Sequence, residues 1–518
     1  MQRFNQILLL TTVISPLLAF IAAIILHQFK FRMALIWTAV FGGIAISWLA
    51  VVGLRFALPS YVLLVAWQPQ QLFLDSPALL IDGYNWGLAL ALLSLALAFL
   101  FTEPSLSEGV NFNSLASGLL VIVLAIFAVL AGNQLTLLLA WAAIDLVELF
   151  IWLSQALHPE LRERIILAFA SRASGLILST YGIGQVGVYL IASVLRLGVF
   201  PFHIPYVDNT EIRRGFGSIL RLVPPLVTIP FLVRLAGFGQ NNSLHFFIPI
   251  IVLVALSAAI LWISAENEIE GRPFWIITIS AFILISTIEN QPTATLAWGI
   301  IMVVLGGSIF LSRVRNRYWI FWTIIQILIL CGIPFSPLWD INRIYQPPFG
   351  IWSGLLLIAH ILLIGGFWRH NKRKISENLI GERWIFALYG IGLTVLAIIP
   401  FIAGYAGWKN LLESGTGYVY PTTRSPVAFW IGLAIPFLFV IGYWITPKIR
   451  LSFSSHANTA LKLLSFDWAI EFLRWSFRKL ADLFSFLNLV FEGQGGILWA
   501  FLVLILLGGF LYMVTGGG

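Results

Sequence analysis

Asp145 and Glu148 stand three residues apart in LTLLLAWAAIDLVELFIWL, a run that is otherwise apolar. That spacing puts both on one face of a helix, near the middle of its length. Two carboxylates so close in a low-dielectric setting raise each other's proton affinity, so one of them can hold a proton near neutrality. This suits a proton-carrying step; a structural pair bonded to a neighbouring helix has the same spacing. Arg172, inside AFASRASGLIL, is the natural counter-charge, because an acid–base pair between helices is the least costly way to keep both groups in lipid. Such a pair either relays protons or locks the helices together. A third group lies in VLRLGVFPFHIPYVDNT, residues 194–210, which holds Arg196, Pro201, His203 and Asp208. Pro201 breaks a helix and frees carbonyls, which is tolerated where the break lines a cavity. His203 titrates near neutrality, whereas Arg196 keeps its charge at any working pH. A second interrupted run, LCGIPFSPLWD, carries Pro334 and Pro337.

The elements that must position these groups follow from composition. The chain has 518 residues, 60% hydrophobic and 10% charged, with a mean hydropathy of +0.95. A soluble protein of this length could not bury that much apolar surface, so the fold class expected is an all-α polytopic membrane protein. Apolar stretches of spanning length number roughly sixteen: 5–26, 33–57, 84–102, 113–131, 135–155, 165–183, 184–204, 218–238, 246–265, 273–289, 294–312, 318–336, 351–368, 384–405, 427–447 and 496–514. The first reads as a helix rather than a removed signal peptide. The loops sort by charge into one set with about twenty Lys and Arg and another with about five, which puts the first set on the cytoplasmic side and the N-terminus outside. An inner, cytoplasmic or thylakoid membrane is expected. The basic residues sit in short loops rather than on a soluble domain, so the pI of 9.6 reflects topology and not nucleic-acid binding. The single cysteine, Cys331, excludes an internal disulfide and any cysteine-based metal or iron–sulfur site. No cofactor is expected in this chain.

Residues 460–492 differ in kind. Asp467, Glu471, Arg474, Arg478 and Asp482 recur at three- and four-residue spacing with Trp468, Phe472, Trp475 and Phe484 on other faces. This is the pattern of an amphipathic helix lying along a surface, either on lipid headgroups or as a strut across neighbouring subunits. GIGQVG at 182–187 has the G-x-G-x-x-G spacing of dinucleotide sites, but it joins two apolar runs outside any βαβ unit and reads as a turn. ENEIEGR, with Glu266, Glu268, Glu270 and Arg272, reads as a solvated loop.

Two interrupted helices in corresponding halves point to an inverted-repeat transporter, and the motifs extend that reading. The chain resembles the antiporter-like membrane subunits of respiratory complex I and of Mrp-type cation antiporters, in the long form that carries a lateral helix. LFLDSPALLIDGYNW, with Asp82-Gly83, is similar to the loop before the family's third helix, and LAGNQLTLLLAW to the start of its fifth. AFASRASGLIL, FPFHIPYVD, PPLVTIPFLVRLAGF (which includes Arg234) and CGIPFSPLWDINRIY resemble its sixth, seventh, eighth and second broken helices. The resemblance implies two inverted five-helix repeats, each a proton half-channel, with His203 and Asp208 carried over as site residues. It implies this layout: 1–112, N-terminal helices; 113–238 and 239–372, the two repeats; 373–448, C-terminal helices; 449–495, the lateral helix; 496–518, a final span.

The departures bear on function. Where the family has a glutamate after the tryptophan of the fifth helix, Trp141 is followed by Ala142, and the acidic charge sits one turn on at Asp145. Where the family has a lysine seven residues before the histidine, this chain has Arg196. No lysine counterpart exists in TLAWGIIMVVLGGS or around WDINR, and Glu268-Ile269-Glu270-Gly271 replaces an Asp-Leu-Lys-Arg run. All seven lysines fall outside the expected spans, so the family's switchable lysine relay is missing. A permanent cation at Arg196 would repel a proton from the path. Three readings follow. The chain is a proton- or cation-translocating subunit of a complex I-like assembly, with any enzymatic activity, such as that of an NADH:quinone oxidoreductase-type translocase, belonging to the complex. Alternatively, it is a non-conducting or partly conducting scaffold that anchors other membrane subunits, a redox arm or an inorganic-carbon uptake protein. The third reading is an independent small-cation carrier. Expected partners are membrane lipid and other membrane subunits.

Overall fold

The computed structural model describes residues 2–65, 67, 75–105, 110–155, 158–182, 184–200, 206, 213–238, 242–312, 317–334, 336–345, 350–372, 383–405 and 426–445 of one compact unit, Met1–Ala457, and short stretches between 471 and 507 of a second, Asn458–Gly518. In the first unit the described helices are α1 (Gln2–Gln28), α2 (Met33–Leu54), α3 (Trp86–Thr102), α4 (Phe112–Val129), α5 (Gln134–Ser154), α6 (Pro159–Tyr181), α7 (Val186–Leu197), α8 (Arg214–Leu226), α9 (Ile229–Gly237), α10 (Ile248–Ser264), α11 (Glu268–Ile288), α12 (Pro292–Leu311), α13 (Arg317–Cys331), α14 (Ile351–Lys372), α15 (Arg383–Tyr405) and α16 (Pro426–Ile445). A short antiparallel pair, β1 (Ser60–Leu63) and β2 (Ala78–Ile81), lies between α2 and α3, with Ser60 opposite Ile81.

Ten stretches are helices long and apolar enough to cross a bilayer, and four further apolar helices are shorter. The protein is therefore an integral, multi-pass membrane protein. The count of sixteen is not reached among the described residues. Two physical causes account for part of the difference: α7 and α13 are cut short by their breaks, and α6 begins with Glu160, Arg162, Glu163 and Arg164, which lower its mean hydropathy. α14 runs past its expected end to Lys372, whose ammonium lies 4.5 Å from the centre of the Trp368 ring.

The core is made by α3 and α12, every residue of which is buried, together with α8, α9 and α11. α1 and α2 are one-sided. Phe4, Ile7, Leu18, Ile21 and Ile25 face outward, as lipid-contacting side chains should where no water is available. Caps set where the site-bearing helices start. Asn133 accepts a hydrogen bond from the Thr136 amide at 3.0 Å and opens α5, and Pro159 at the first turn opens α6.

α7 and α13 end alike. Gly198 (φ 67°) and Gly332 (φ 58°) adopt the left-handed conformation that ends a helix and that only glycine takes without cost. Pro334 and Pro337 lie after the second of these breaks and before a 3₁₀ turn, Trp339–Ile344. Pro201 lies outside the described residues. GIGQVG is the connection between α6 and α7.

In the second unit, the described residues between 471 and 485 are helical, and Glu471 and Arg478 are exposed there. Phe472 and Trp475 stack with ring centres 6.0 Å apart. Asp467 and Arg474 lie outside the described residues. Residues 500–507 are helical with exposed apolar side chains.

Candidate functional site

Asp145 and Glu148 project from the middle of α5 and are buried, 2% and 0% exposed. Each meets an arginine. Arg196, from the last turn of α7, grips Asp145 with both terminal nitrogens, Nη1 to Oδ2 at 2.7 Å and Nη2 to Oδ1 at 3.2 Å. Arg172, from the middle of α6, donates from Nη1 to Glu148 Oε2, and its Nε lies 3.7 Å from Asp145 Oδ1. Arg196 Nη1 also donates to the Arg172 carbonyl at 3.2 Å. Four charged side chains from three helices thus form one buried network. Burying charges is tolerated where each is paired in this way.

Trp141, one helical turn before Asp145, completes the support. Its ring lies under the Arg196 guanidinium at 4.3 Å, a favourable cation–π distance. Its indole N–H donates to the Val227 carbonyl at 3.1 Å, in the interruption between α8 and α9. Tyr206 donates to the Leu197 carbonyl at 2.8 Å and so covers the end of α7. Beside the network a cavity of about 10 Å³ is lined by Trp152, Arg172, Arg196, Tyr206, Arg221 and Pro224, room for about one water molecule. Glu148 Oε1 is buried and accepts no hydrogen bond among the described residues.

Both carboxylates and both arginines expected from sequence come together, but two roles differ. Arg172 answers both carboxylates, as anticipated, while the tightest contact of Asp145 is to Arg196. Arg196 is consequently neutralised by Asp145, not a bare cation repelling protons. His203 and Asp208 lie outside the described residues.

A second correction concerns ENEIEGR. Glu266 and Glu270 are exposed, but Glu268 and Arg272 lie buried on α11. Glu268 receives Arg272 Nη2 at 2.8 Å and Arg214 Nη1 at 2.6 Å, and Arg272 Nη2 also donates to the Phe310 carbonyl at 2.9 Å. The i, i+4 spacing of Glu268 and Arg272 carries that signal, yet nothing local announces Arg214. At the other end, Asp82 pairs with Arg234 at 2.9 Å.

The second half holds a titratable group that no motif marks. His360, in the middle of α14, is 0% exposed. Its Nε2 lies 2.9 Å from the Leu330 carbonyl, in the last turn of α13, and its Nδ1 3.1 Å from the Tyr345 hydroxyl. A lone histidine in an otherwise apolar spanning run is itself the signal.

The sequence matches no protein-family model and no curated protein. Solved structures do match. A chain of the membrane-bound sulfane sulfur reductase, an archaeal respiratory membrane complex, superposes with a TM-score of 0.71 at 16% identity, over 97% of this chain and 99% of that one. A chain of the Mrp complex from Dietzia sp. DQ12-45-1b gives 0.72 at 14% identity, over 98% of this chain, which spans 63% of that longer one. A chain of respiratory complex I from Thermus thermophilus gives 0.55 at 14%, over 76% and 97%. At these identities the likeness is one of fold. The chain is a multi-pass membrane protein with the fold of the antiporter-like membrane subunits of such complexes.

Proposed function

We propose that this chain is a membrane subunit of a complex I-like or Mrp-like multisubunit assembly and takes part in moving protons across the membrane. The fold supports the first part, since the matching chains come from multisubunit membrane complexes. The observation that carries the second is the mid-membrane network of Asp145, Glu148, Arg172 and Arg196, with one carboxylate oxygen, Glu148 Oε1, left open beside it. Apolar helices do not retain such groups without use as a rule.

Glu148 is the proton carrier in this reading. The arginines hold their protons throughout and act by position. When Glu148 takes a proton on Oε1 its attraction for Arg172 weakens. Arg172 then turns to Asp145, which its Nε already approaches at 3.7 Å. Loss of the proton restores the first pairing. The arginine thus records the protonation state of the carboxylate and passes it to α6 and, through its carbonyl contact with Arg196, to the break in α7.

A second reading has its own observation: both carboxylates are held by permanent cations, which favours a scaffold that conducts little or nothing. Proton flux into liposomes carrying the purified assembly separates the two. Glu148→Gln, and the pair Asp145→Asn with Glu148→Gln, are compared with wild type after assembly is checked by the subunit content of the complex. A several-fold fall in flux with the complex intact supports conduction; unchanged flux in an intact complex leaves the scaffold. A lone carrier, the third reading, would purify in mild detergent without stoichiometric partners.

A further inference from the structure

We propose that His360 and Tyr345 form a second proton-binding site at the break of α13, in which His360 takes up a proton on Nδ1 and the Tyr345 hydroxyl turns to receive it. For its bearing on transport this rests on the reading of the chain as a proton-conducting subunit; the protonation itself does not.

The argument is one of donors and acceptors. The Leu330 carbonyl only accepts, so His360 Nε2, 2.9 Å away, carries a hydrogen in every state. In the neutral ring Nδ1 is then the acceptor, and the Tyr345 hydroxyl at 3.1 Å donates to it. In the charged ring Nδ1 becomes a donor, and the same hydroxyl oxygen can accept, provided its own hydrogen has somewhere to go. The Leu356 carbonyl, 3.5 Å from that oxygen, is the place. One proton added at Nδ1 is therefore accommodated by rotating one O–H bond, with every heavy atom left where it is. A site with so little to rearrange is suited to taking up and releasing a proton.

One contact of the ring supports a transient charge there. Leu330 belongs to the last turn of α13, and the C-terminal end of a helix carries partial negative charge. Asn342 donates to the Cys331 and Gly332 carbonyls at 3.2 and 2.6 Å, which leaves the Leu330 carbonyl for His360. Around the ring, α11 contributes Phe282 and α12 contributes Trp298, with ring centres 5.6 and 5.1 Å away. The charged groups of the neighbouring elements stand apart or are paired. Asp340 and Arg343 bond each other at 2.6 Å in the 3₁₀ turn. Glu268 and Arg272 occupy the far end of α11, and Arg369, His370 and Lys372 the end of α14, while α10 and α12 contain no ionisable side chain. Among the described residues, Cys331 and Tyr345 are the remaining titratable neighbours.

The test reads the proton directly and then the flux. Infrared spectra of the purified assembly, with histidine ring nitrogens isotopically labelled, are recorded between about pH 3 and 8. Wild type minus His360→Gln is expected to show one imidazolium band that titrates and is absent from the variant. Flux is expected to fall several-fold in the variant. Tyr345→Phe keeps the packing and removes only the hydroxyl, so it serves if His360→Gln does not assemble. Loss of the acceptor for the charged ring should move the titration to lower pH. No titrating band in the difference spectrum, or an unmoved midpoint in Tyr345→Phe, overturns the proposal. A band with unchanged flux in an assembly that conducts overturns the transport role of His360. A band in an assembly that conducts nothing even as wild type sustains this site and removes the conduction reading above.

Discussion

α7 and α13 use one backbone device for opposite chemistry. Each helix stops in mid-chain at a left-handed glycine, and each stop leaves carbonyls without helical partners. In both, a side chain from beyond the break supplies the missing donor: Tyr206 to the Leu197 carbonyl, Asn342 to those of Cys331 and Gly332. What surrounds the breaks differs. The first is ringed by two carboxylates and the two arginines that pair with them. The second is ringed by aromatic side chains around one histidine, with Asp340 and Arg343 paired in the turn that follows. The break is thus a scaffold feature that tolerates either kind of site, and the chemistry is decided by what α5, α6 and α14 present to it.

The largest expected difference between the halves is in stability. Arg196→Met leaves Asp145 buried with only the 3.7 Å approach of Arg172. Stranding a buried charge costs about 3–5 kcal/mol, to be measured by denaturant unfolding in detergent micelles. Adding Asp145→Leu removes the stranded carboxylate and should recover most of the loss, because Arg172 keeps Glu148. If the double variant is no more stable than the single one, the network is not held together by this pair.

Next in size is a comparison of the two glycines. Gly198→Ala should cost about 1–2 kcal/mol, the penalty for a left-handed L-residue. Gly332→Ala meets the same penalty and a steric one, because a Cβ there would lie 2.5 Å from Ile341 Cγ1 and 2.7 Å from Asn342 Nδ2; overpacking adds about 1–3 kcal/mol. The same unfolding assay should therefore show Gly332→Ala losing more than the left-handed penalty alone, and a loss no larger than that penalty would mean the second break can shift to make room.

The two halves were not equally legible in the amino-acid sequence. The spans follow from hydropathy, and the first site follows from charge, since four ionisable residues in apolar runs are conspicuous wherever they occur. Pairing was only half legible. Arg172 could be assigned to the carboxylates, but the closer bond of Arg196 to Asp145 depends on how α6 and α7 pack, which no local pattern encodes. The second site carries no charge run and no motif. His360 stands out in IWSGLLLIAHILLIGGFWRH only as a lone polar residue, and its partners, the Leu330 carbonyl and Tyr345, are brought to it by the turn after α13. Glu268 shows the converse: its surface-like sequence context hides a buried position that Arg272, one turn on, and Arg214, from α8, together explain.

The smallest expected effect bears on the carbonyls themselves. Asn342→Ala removes the donor to two buried carbonyls, whereas Tyr206→Phe removes the donor to one. A buried acceptor left without a partner costs about 1–3 kcal/mol, so Asn342→Ala should be the more destabilising of the two. The functional consequence should differ more than the energetic one. In the second break the newly open Cys331 and Gly332 carbonyls stand next to the one already used by His360. They add partial negative charge where a proton on His360 would sit. Asn342→Ala should therefore move the His360 titration to higher pH while lowering stability. Tyr206→Phe, in a break whose charges are already neutralised by arginines, should lower stability slightly and leave that titration where it is. A titration that moves with both variants, or with neither, would mean that the two breaks do not act locally, and the separation of a charged half from a neutral one would fail.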